Sequence, residues 1–277
     1  MRDRPLNVRV STDPRRHSAR LLEFGTLRQS YVDLEDPAYL RFSYVQAVAC
    51  ALDTMRPAAR PLRALHLGAG GLTIPRYLAH SRPQSSSLVA EISPVVLRIG
   101  REELGFDEVE LNGSGIAVEL GDARAIAEAQ PSGQYDVVVG DAFADGTVPL
   151  HLTTREFMTQ VRRMLTDDGM YLLNLIDAPP MRFLRSVLAA TDATFRHVAV
   201  SAMPEVIAGE DSGNLVIHAS EVPLPVTELA EALARCNPPL SLVHDSGDLT
   251  NLIADAPILT DELAAAEPRL NRRDEED

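Results

Sequence analysis

Hydrophobic and polar positions change period along this chain, and the changes mark out its elements. Residues 6–34 alternate in LNVRV and ARLLEF, punctuated by Asp13-Pro14 and Gly25. This predicts short strands forming a small β-element that packs beside or over the rest. From Tyr39 to Met55, after Asp36-Pro37, apolar residues recur at helical spacing, and Pro57 and Pro61 end the run. Beyond residue 62, short apolar runs alternate with helix-like stretches. The runs are Ala64 to Leu67, Leu88 to Ala90, Ile116 to Leu120, the VVVG after Gln134-Tyr135-Asp136, MYLLNLI, Phe195 to Val200 and Asn214 to His218. The helical stretches are Leu72 to Ala79, Pro94 to Leu104 behind a Ser93 cap, a short one from Asp122 to Ala129, one capped by Thr153-Thr154 and reaching Leu165, Pro180 to Thr191, and Ala230 to Cys236. Asp168-Gly169 reads as a turn into MYLLNLI. Strand and helix alternating across 63–219 predict a doubly wound α/β fold with a mainly parallel sheet. Three regions follow: a small N-terminal β-region with its linking helix (1–55), a Rossmann-like catalytic domain (56–265) and a charged tail (266–277), expected to be disordered.

The stretch 62–94 organises the rest. An apolar run ends in Gly68, Gly70 and Gly71, a helix follows, and the next apolar run ends on Glu91. Strand, glycine turn, helix, strand, acid is the order of a nucleotide-binding crossover. The spacing is G-x-G-G rather than G-x-G-x-x-G, so a dinucleotide is not indicated, and the glycines alone also suit any tight α/β turn. Glu91 stands where a carboxylate can accept hydrogen bonds from both hydroxyls of a ribose. Gly68, Glu91, Asp122 and Asp141 all fall at carboxyl ends of strands, the edge where open α/β sheets bind ligands.

Composition narrows the chemistry. The 277 residues carry a formal charge of −14, with 45% hydrophobic content. That is enough for a sizeable core, and it argues against a nucleic-acid partner, which needs a basic face. All 26 basic residues are arginine, which excludes Schiff-base, P-loop and general-base lysines. Cys50 and Cys236 lie far apart without CxxC partners, the pattern of a reduced, cytoplasmic protein. No run approaches the roughly 18 apolar residues of a membrane span, so no membrane partner is expected. The seven histidines have no metal-ligand spacing, and no metal is expected; His66 reads as a core residue within its strand.

Taken together, LHLGAGG, VAEISP, ELGDARAI, YDVVVGDAFADG and LTTREFMTQVRRMLTDDGMYLLNL resemble the class I methyltransferase superfold and, within it, the spermidine synthase (aminopropyltransferase) family. The resemblance runs from about Leu62 to His218, with a weaker match in the N-terminal strands. It implies a Rossmann-like, seven-stranded sheet, a cytoplasmic homodimer, and polyamine synthesis from decarboxylated S-adenosylmethionine and a small amine such as putrescine. Carried over by motif, Gly68 and Gly70 wrap the methionine-derived part of the co-substrate, Glu91 binds the ribose, and Asp122 with Ala123 faces the adenine. Gln29 and Tyr44 are contacts from the N-terminal region, on co-substrate and amine respectively. Asp141 is the central catalytic carboxylate, also facing the amine, and Asp145 is its partner.

Three departures stand out. The family pattern D-S-x-D-P is here Asp141-Ala142-Phe143-Ala144-Asp145-Gly146. The triplet Tyr-His-Glu or Tyr-Gln-Glu is here Tyr44-Val45-Gln46, and the loop G-G-G-D-G lacks its acid. Each site residue also has a structural reading: Asp122 as a helix cap, Asp145-Gly146 as a turn, Asp141 as a loop cap, Tyr44 and Gln29 as packing residues. Two alternatives to aminopropyl transfer therefore remain. One is an S-adenosylmethionine-dependent methyltransferase, for which Arg76 would bind the methionine carboxylate. The other is a non-catalytic nucleoside-binding homologue.

Overall fold

The computed structural model describes residues 8–271 except 56, 59, 107–110, 112 and 145. Three antiparallel strands come first: β1 (Val8–Asp13), β2 (Arg16–Phe24) and β3 (Leu27–Asp33), in that spatial order. Their turns fall at Asp13-Pro14 and Gly25, as the punctuation predicts. Helix α1 (Ser43–Thr54) starts four residues later than its apolar spacing suggests, with Phe42 as its cap. Before it, Asp33 and Asp36 accept backbone amide bonds from Glu35, Asp36 and Ala38, and so hold residues 33–38 in turns.

The alternating part builds β4 (Arg63–Leu67), α2 (Thr73–Ser81), β5 (Ser86–Glu91), α3 (Pro94–Glu103), β6 (Ile116–Leu120), α4 (Ala123–Glu128), β7 (Tyr135–Gly140), α5 (Arg155–Met164), β8 (Leu165–Asp177), α6 (Arg182–Asp192), β9 (His197–Ala202), α7 (Pro204–Ile207) and β10 (Gly213–Ser220). Then come α8 (Val226–Ala234), β11 (Ser241–Val243), α9 (Ser246–Ile253) and α10 (Asp261–Ala266). The large sheet runs β11-β9-β10-β8-β7-β4-β5-β6. Strands β6, β5, β4, β7 and β8 are parallel, while β10, β9 and β11 are antiparallel. The sheet thus has eight strands where seven are expected. The addition is β11, a three-residue edge strand too short to leave a pattern in the sequence. The short helices α7, α9 and α10 are unforeseen for the same reason. Asp168-Gly169 is not a free turn but a bulge inside β8: pairing with β7 jumps from Tyr135↔Leu165 to Val137↔Met170.

Period two along the strands divides the core between two faces. Ala64, Val137, Val139, Leu172 and Val216 pack with α1, α2 and α8. Leu65, Leu67, Val138, Leu173 and Leu175 pack with α4, α5 and α6. His66 is a core residue bonded to Ser87 (3.1 Å), and burial lowers its pKa to about 3, so it is neutral. Leu270 packs on this body, and Asn271 donates to the Val148 carbonyl (2.8 Å), so the start of the C-terminal region is held; residues 272–277 lie outside the described residues. Among the described residues no helix is long and apolar enough to cross a membrane.

One buried arginine fixes the end of α1. Arg82 is 2% exposed and donates to the carbonyls of Leu52 (2.6 Å), Met55 (2.7 Å), Arg60 (3.0 Å) and Pro57 (3.2 Å). It satisfies the buried carbonyls of Leu52 and Met55 at the helix end and ties the loop after it through Pro57 and Arg60. Arg82→Ala is expected to cost about 3 kcal/mol or more in urea unfolding, because the buried Leu52 and Met55 carbonyls lose their donor.

Candidate active site

Chain order and sheet order part company at one place. From β4 the chain steps outward to β5 and β6, then returns to lay β7 on the other side of β4. The crevice between the carboxyl ends of β4 and β7 is the switch point of the sheet, where ligands of open α/β folds sit. Gly68 and Asp141 meet there. Gly68 has φ +106°, and a Cβ built on it would lie 2.5 Å from the Asp141 carbonyl oxygen, so no other residue fits.

The glycine loop is stitched to the N-terminal sheet. The Gly71 amide donates to Ser30 Oγ (3.0 Å), and Thr73 Oγ1 donates to the Tyr31 carbonyl (3.0 Å). Gly71 stands where the G-G-G-D-G pattern has its acid, and a Cβ there would come within 2.7 Å of Ser30 Oγ. An acid at this position would therefore have to displace the Ser30 hydroxyl that now accepts the Gly71 amide. Glu91, 8% exposed, ends β5 and faces the same loop. Its Oε2 accepts from the Ala69 amide (3.1 Å) and its Oε1 from the Ser93 amide (2.7 Å), leaving further lone pairs for hydroxyl donors. Burial raises the Glu91 pKa, opposed by these amides.

Asp122 performs the capping role that its position before α4 suggests. Its Oδ1 accepts from Ala125 N (3.0 Å), and its Oδ2 meets His151 Nε2 (3.1 Å). Burial pushes its pKa up, but the Ala125 amide and His151 outweigh that, and the net direction is down. Ala123 is buried beside it at the start of α4. Asp145 lies outside the described residues.

Asp141 has the most perturbed environment of the candidate carboxylates among the described residues. Desolvation raises its pKa from 3.8 to about 7, while hydrogen bonds from Asn174 and Tyr44 pull the other way. Asn174 Nδ2 donates to Oδ1 (2.8 Å) and Tyr44 OH donates to Oδ2 (3.3 Å). Burial and the Asp141 charge hold the Tyr44 phenol well above its ordinary pKa, so it is a donor at neutral pH. Sequence reading overlooks Asn174, which is 1% exposed, although an amide inside the apolar run MYLLNLI is a visible signal. It also overlooks Asn214, whose Nδ2 donates to Asn174 Oδ1 (3.0 Å). That bond fixes the flip of the Asn174 amide so that its NH₂ faces the carboxylate. Asn214→Ala is expected to raise the Asp141 pKa by roughly half to one pH unit, the worth of about 1 kcal/mol of donor orientation. A ¹³C-detected carboxyl titration reads it directly, and an unmoved midpoint would show that Asn214 orients nothing.

A cavity of about 380 Å³ opens beside this cluster, lined among others by Arg28, Gln29, Tyr44, Phe143, Asn174 and Met203. Tyr44 thus reaches both the cavity and the carboxylate, and Gln29 lines the same space. A smaller cavity, about 180 Å³, is lined by Thr54, Arg60, Asp136 and Val222, away from the strand ends that carry these acids. Among the described residues no group of three or more His, Cys, Asp or Glu is placed to hold a metal ion.

No family model matches the chain. The polyamine aminopropyltransferase of Vibrio vulnificus is 32% identical over 247 residues, covering 84% of this chain and 78% of that protein. The chain belongs to the polyamine aminopropyltransferase family. The crystal structure of a probable spermidine synthase from Corynebacterium glutamicum superposes with a TM-score of 0.83 at 27% identity, covering 94% of this chain and 95% of that one. An eEF1A lysine and N-terminal methyltransferase from Bos taurus is 27% identical over 170 residues, 58% of this chain but 24% of that protein. Within the aminopropyltransferase family, then, this member carries an altered acidic loop, an altered triplet and a glycine loop without its acid.

Proposed function

We propose that this chain moves an aminopropyl group from decarboxylated S-adenosylmethionine to a small amine such as putrescine. The observation that carries the reading is the 32% identity to a polyamine aminopropyltransferase sustained over 84% of the chain. The half-buried Asp141 at the switch point, with its raised pKa, agrees with it. In this reading Gly68, Gly70 and Glu91 hold the loop side and ribose of the co-substrate, Asp122 and Ala123 its adenine, and Gln29 its propyl end. Tyr44 and Asp141 receive the amine, with Asp145 as the second carboxylate. The free lone pairs of Glu91 and the glycine cradle suit a nucleoside; S-adenosyl groups supply a sulfonium whose neighbouring carbon is open to attack.

The chemistry asks little of an acid and much of a base. The amine nitrogen forms a bond to the propyl carbon while the carbon–sulfur bond breaks, its electron pair passing to sulfur as methylthioadenosine leaves. The amine arrives as an ammonium with a pKa near 10.4 and must shed a proton first. Asp141, poised near 7 and paired with that cation, ionises and takes the proton. Tyr44 donates to the carboxylate and aims it. Tyr44→Phe is expected to lower kcat by roughly 10- to 100-fold, the range for a hydrogen bond to a charged group, with methylthioadenosine affinity unchanged. Steady-state kinetics with calorimetry checks both.

The direct test is to incubate the purified protein with decarboxylated S-adenosylmethionine and putrescine. Equal release of methylthioadenosine and spermidine is expected. A methyltransferase is the second reading, favoured by the altered acidic loop after Asp141, by the missing triplet acid and by relatives named methyltransferases. Production of S-adenosylhomocysteine from intact S-adenosylmethionine would establish it instead. Nucleoside binding without turnover would leave a non-catalytic homologue. The reading also takes in a homodimer, supported by the family resemblance, a cytoplasmic location, supported by the cysteine pattern, and a catalytic domain spanning 56–265; light scattering tests the dimer.

A further inference from the structure

Cys50 and Cys236 are 186 residues apart in sequence, yet their sulfurs stand 3.6 Å apart. They are the two cysteines of the chain, and both are half-buried, within reach of small solutes. Cys50 lies on α1, and Cys236 follows α8. The same joint carries a second clasp one turn away: Gln46 Oε1 accepts from Asn237 N (3.1 Å), and its Nε2 donates to the Asn237 carbonyl (3.2 Å). Pro238, next in the chain, lines the 380 Å³ cavity together with Tyr44, which sits two residues before Gln46 on α1. The thiol pair therefore lies behind one wall of the cavity.

We propose that Cys50 and Cys236 form a reversible redox site, in which a peroxide or a low-molecular-weight disulfide converts the two thiols to an intrachain disulfide that resets this wall. Either thiol can donate across the 3.6 Å contact, and Cys236 also reaches the Ala232 carbonyl (3.7 Å). With Arg235 near Cys236, the pair lowers the Cys236 pKa, while Cys50 is held up by that same neighbour and by burial. Cys236 is then the attacking sulfur. With hydrogen peroxide it displaces hydroxide and becomes a sulfenic acid; Cys50 attacks that sulfur, the S–S bond forms and water leaves. With a disulfide oxidant, two exchange steps release two small thiols. A disulfide needs a sulfur separation of about 2.05 Å, so closing the 3.6 Å gap turns both side chains and pulls on α1 and the 236–238 segment. Displacements of about 1 Å at a reacting site change rates severely.

The test begins with reduced full-length protein treated with hydrogen peroxide or glutathione disulfide. Titratable thiols should fall from two to none, at a rate independent of protein concentration, with one peptide pair linking Cys50 to Cys236. Dithiothreitol should restore both. KM for the acceptor should shift at least about threefold on oxidation, with methylthioadenosine affinity unchanged. The double variant Cys50→Ser/Cys236→Ser should ignore oxidant. Surviving thiols, a link between two chains, or a disulfide that leaves the acceptor KM unmoved would overturn the proposal. The kinetic arm rests on the aminopropyl-transfer reading; if reduced protein releases no methylthioadenosine, that reading fails while thiol counts and peptide map still decide the redox site.

Discussion

Asp141→Asn is expected to lower kcat/KM for aminopropyl transfer by roughly 10³-fold and, at the same time, to stabilise the protein above neutral pH. The two effects share one cause. Burial raises the folded-state pKa of Asp141 to about 7 from 3.8. A carboxyl group with a raised folded pKa is bound to its proton in the native state while the unfolded chain has lost it. Stability therefore falls as pH rises from about 4 to about 7, and the full cost of the desolvated charge is present above that window. A rise of that size corresponds to about 4 kcal/mol at most, and relaxation around the charge leaves on the order of 2–4 kcal/mol. Asparagine keeps the shape and accepts from Asn174, but neither ionises nor takes a proton. Urea unfolding of both proteins at pH 5 and pH 8 should show the variant gaining mainly at pH 8. Its turnover should be lost at every pH, whereas the wild-type kcat/KM rises with pH along a limb near 7. An equal stability difference at both pH values would mean that Asp141 is ionised throughout, and the proton-transfer role would fall with it.

The parts of this molecule that can be read from sequence are those where one residue's type and the local period agree. Gly68, Glu91, Asp122 and Asp141 end strands that period alone delimits, and the fold brings their strand ends to one edge of the sheet. Asp122 sits at that edge as the cap of α4. What period cannot reveal is contact across the fold. Asn174 and Asn214 are separated by 40 residues and meet because β8 and β10 pair antiparallel, Asn174 opposite Val216. The Cys50–Cys236 approach depends on α1 packing beside α8, and neither helix names the other in its pattern. The start of α1 is obscured because Tyr39 and Leu40 continue the helical spacing, although the chain there is held in turns by Asp33 and Asp36. Nor does period show that the G-x-G-G loop meets β3, where the Ser30 hydroxyl accepts the Gly71 amide and lies close to where a side chain there would go.

That loop also gives the sharpest ranking among substitutions, with Gly68→Ala the most damaging. At Gly68 an added Cβ meets three backbone atoms: the Asp141 oxygen at 2.5 Å, its carbon at 2.9 Å and Ala142 Cα at 3.1 Å. None is the end of a flexible side chain, so β4 and β7 must part at the switch point. The φ of +106° adds strain that alanine does not relieve. Together these are expected to cost about 3 kcal/mol or more. Gly71→Ala meets Ser30 Oγ at 2.7 Å and Val32 Cγ1 at 3.3 Å, so part of the load falls on a hydroxyl that can rotate. Gly70→Ala meets only Ser30, at 3.5 Å, and its φ of +49° is a left-handed conformation that costs alanine about 1 kcal/mol. Thermal unfolding should therefore rank the variants Gly70→Ala, Gly71→Ala, Gly68→Ala in increasing damage. Function should separate them further. Parting β4 from β7 moves the backbone that carries Asp141, so Gly68→Ala should lose turnover more steeply than methylthioadenosine affinity. Gly71→Ala disturbs the clasp to Ser30 and should weaken nucleoside binding first. If Gly68→Ala melts with Gly70→Ala and turns over normally, the contact between the ends of β4 and β7 does not set the position of the catalytic carboxylate.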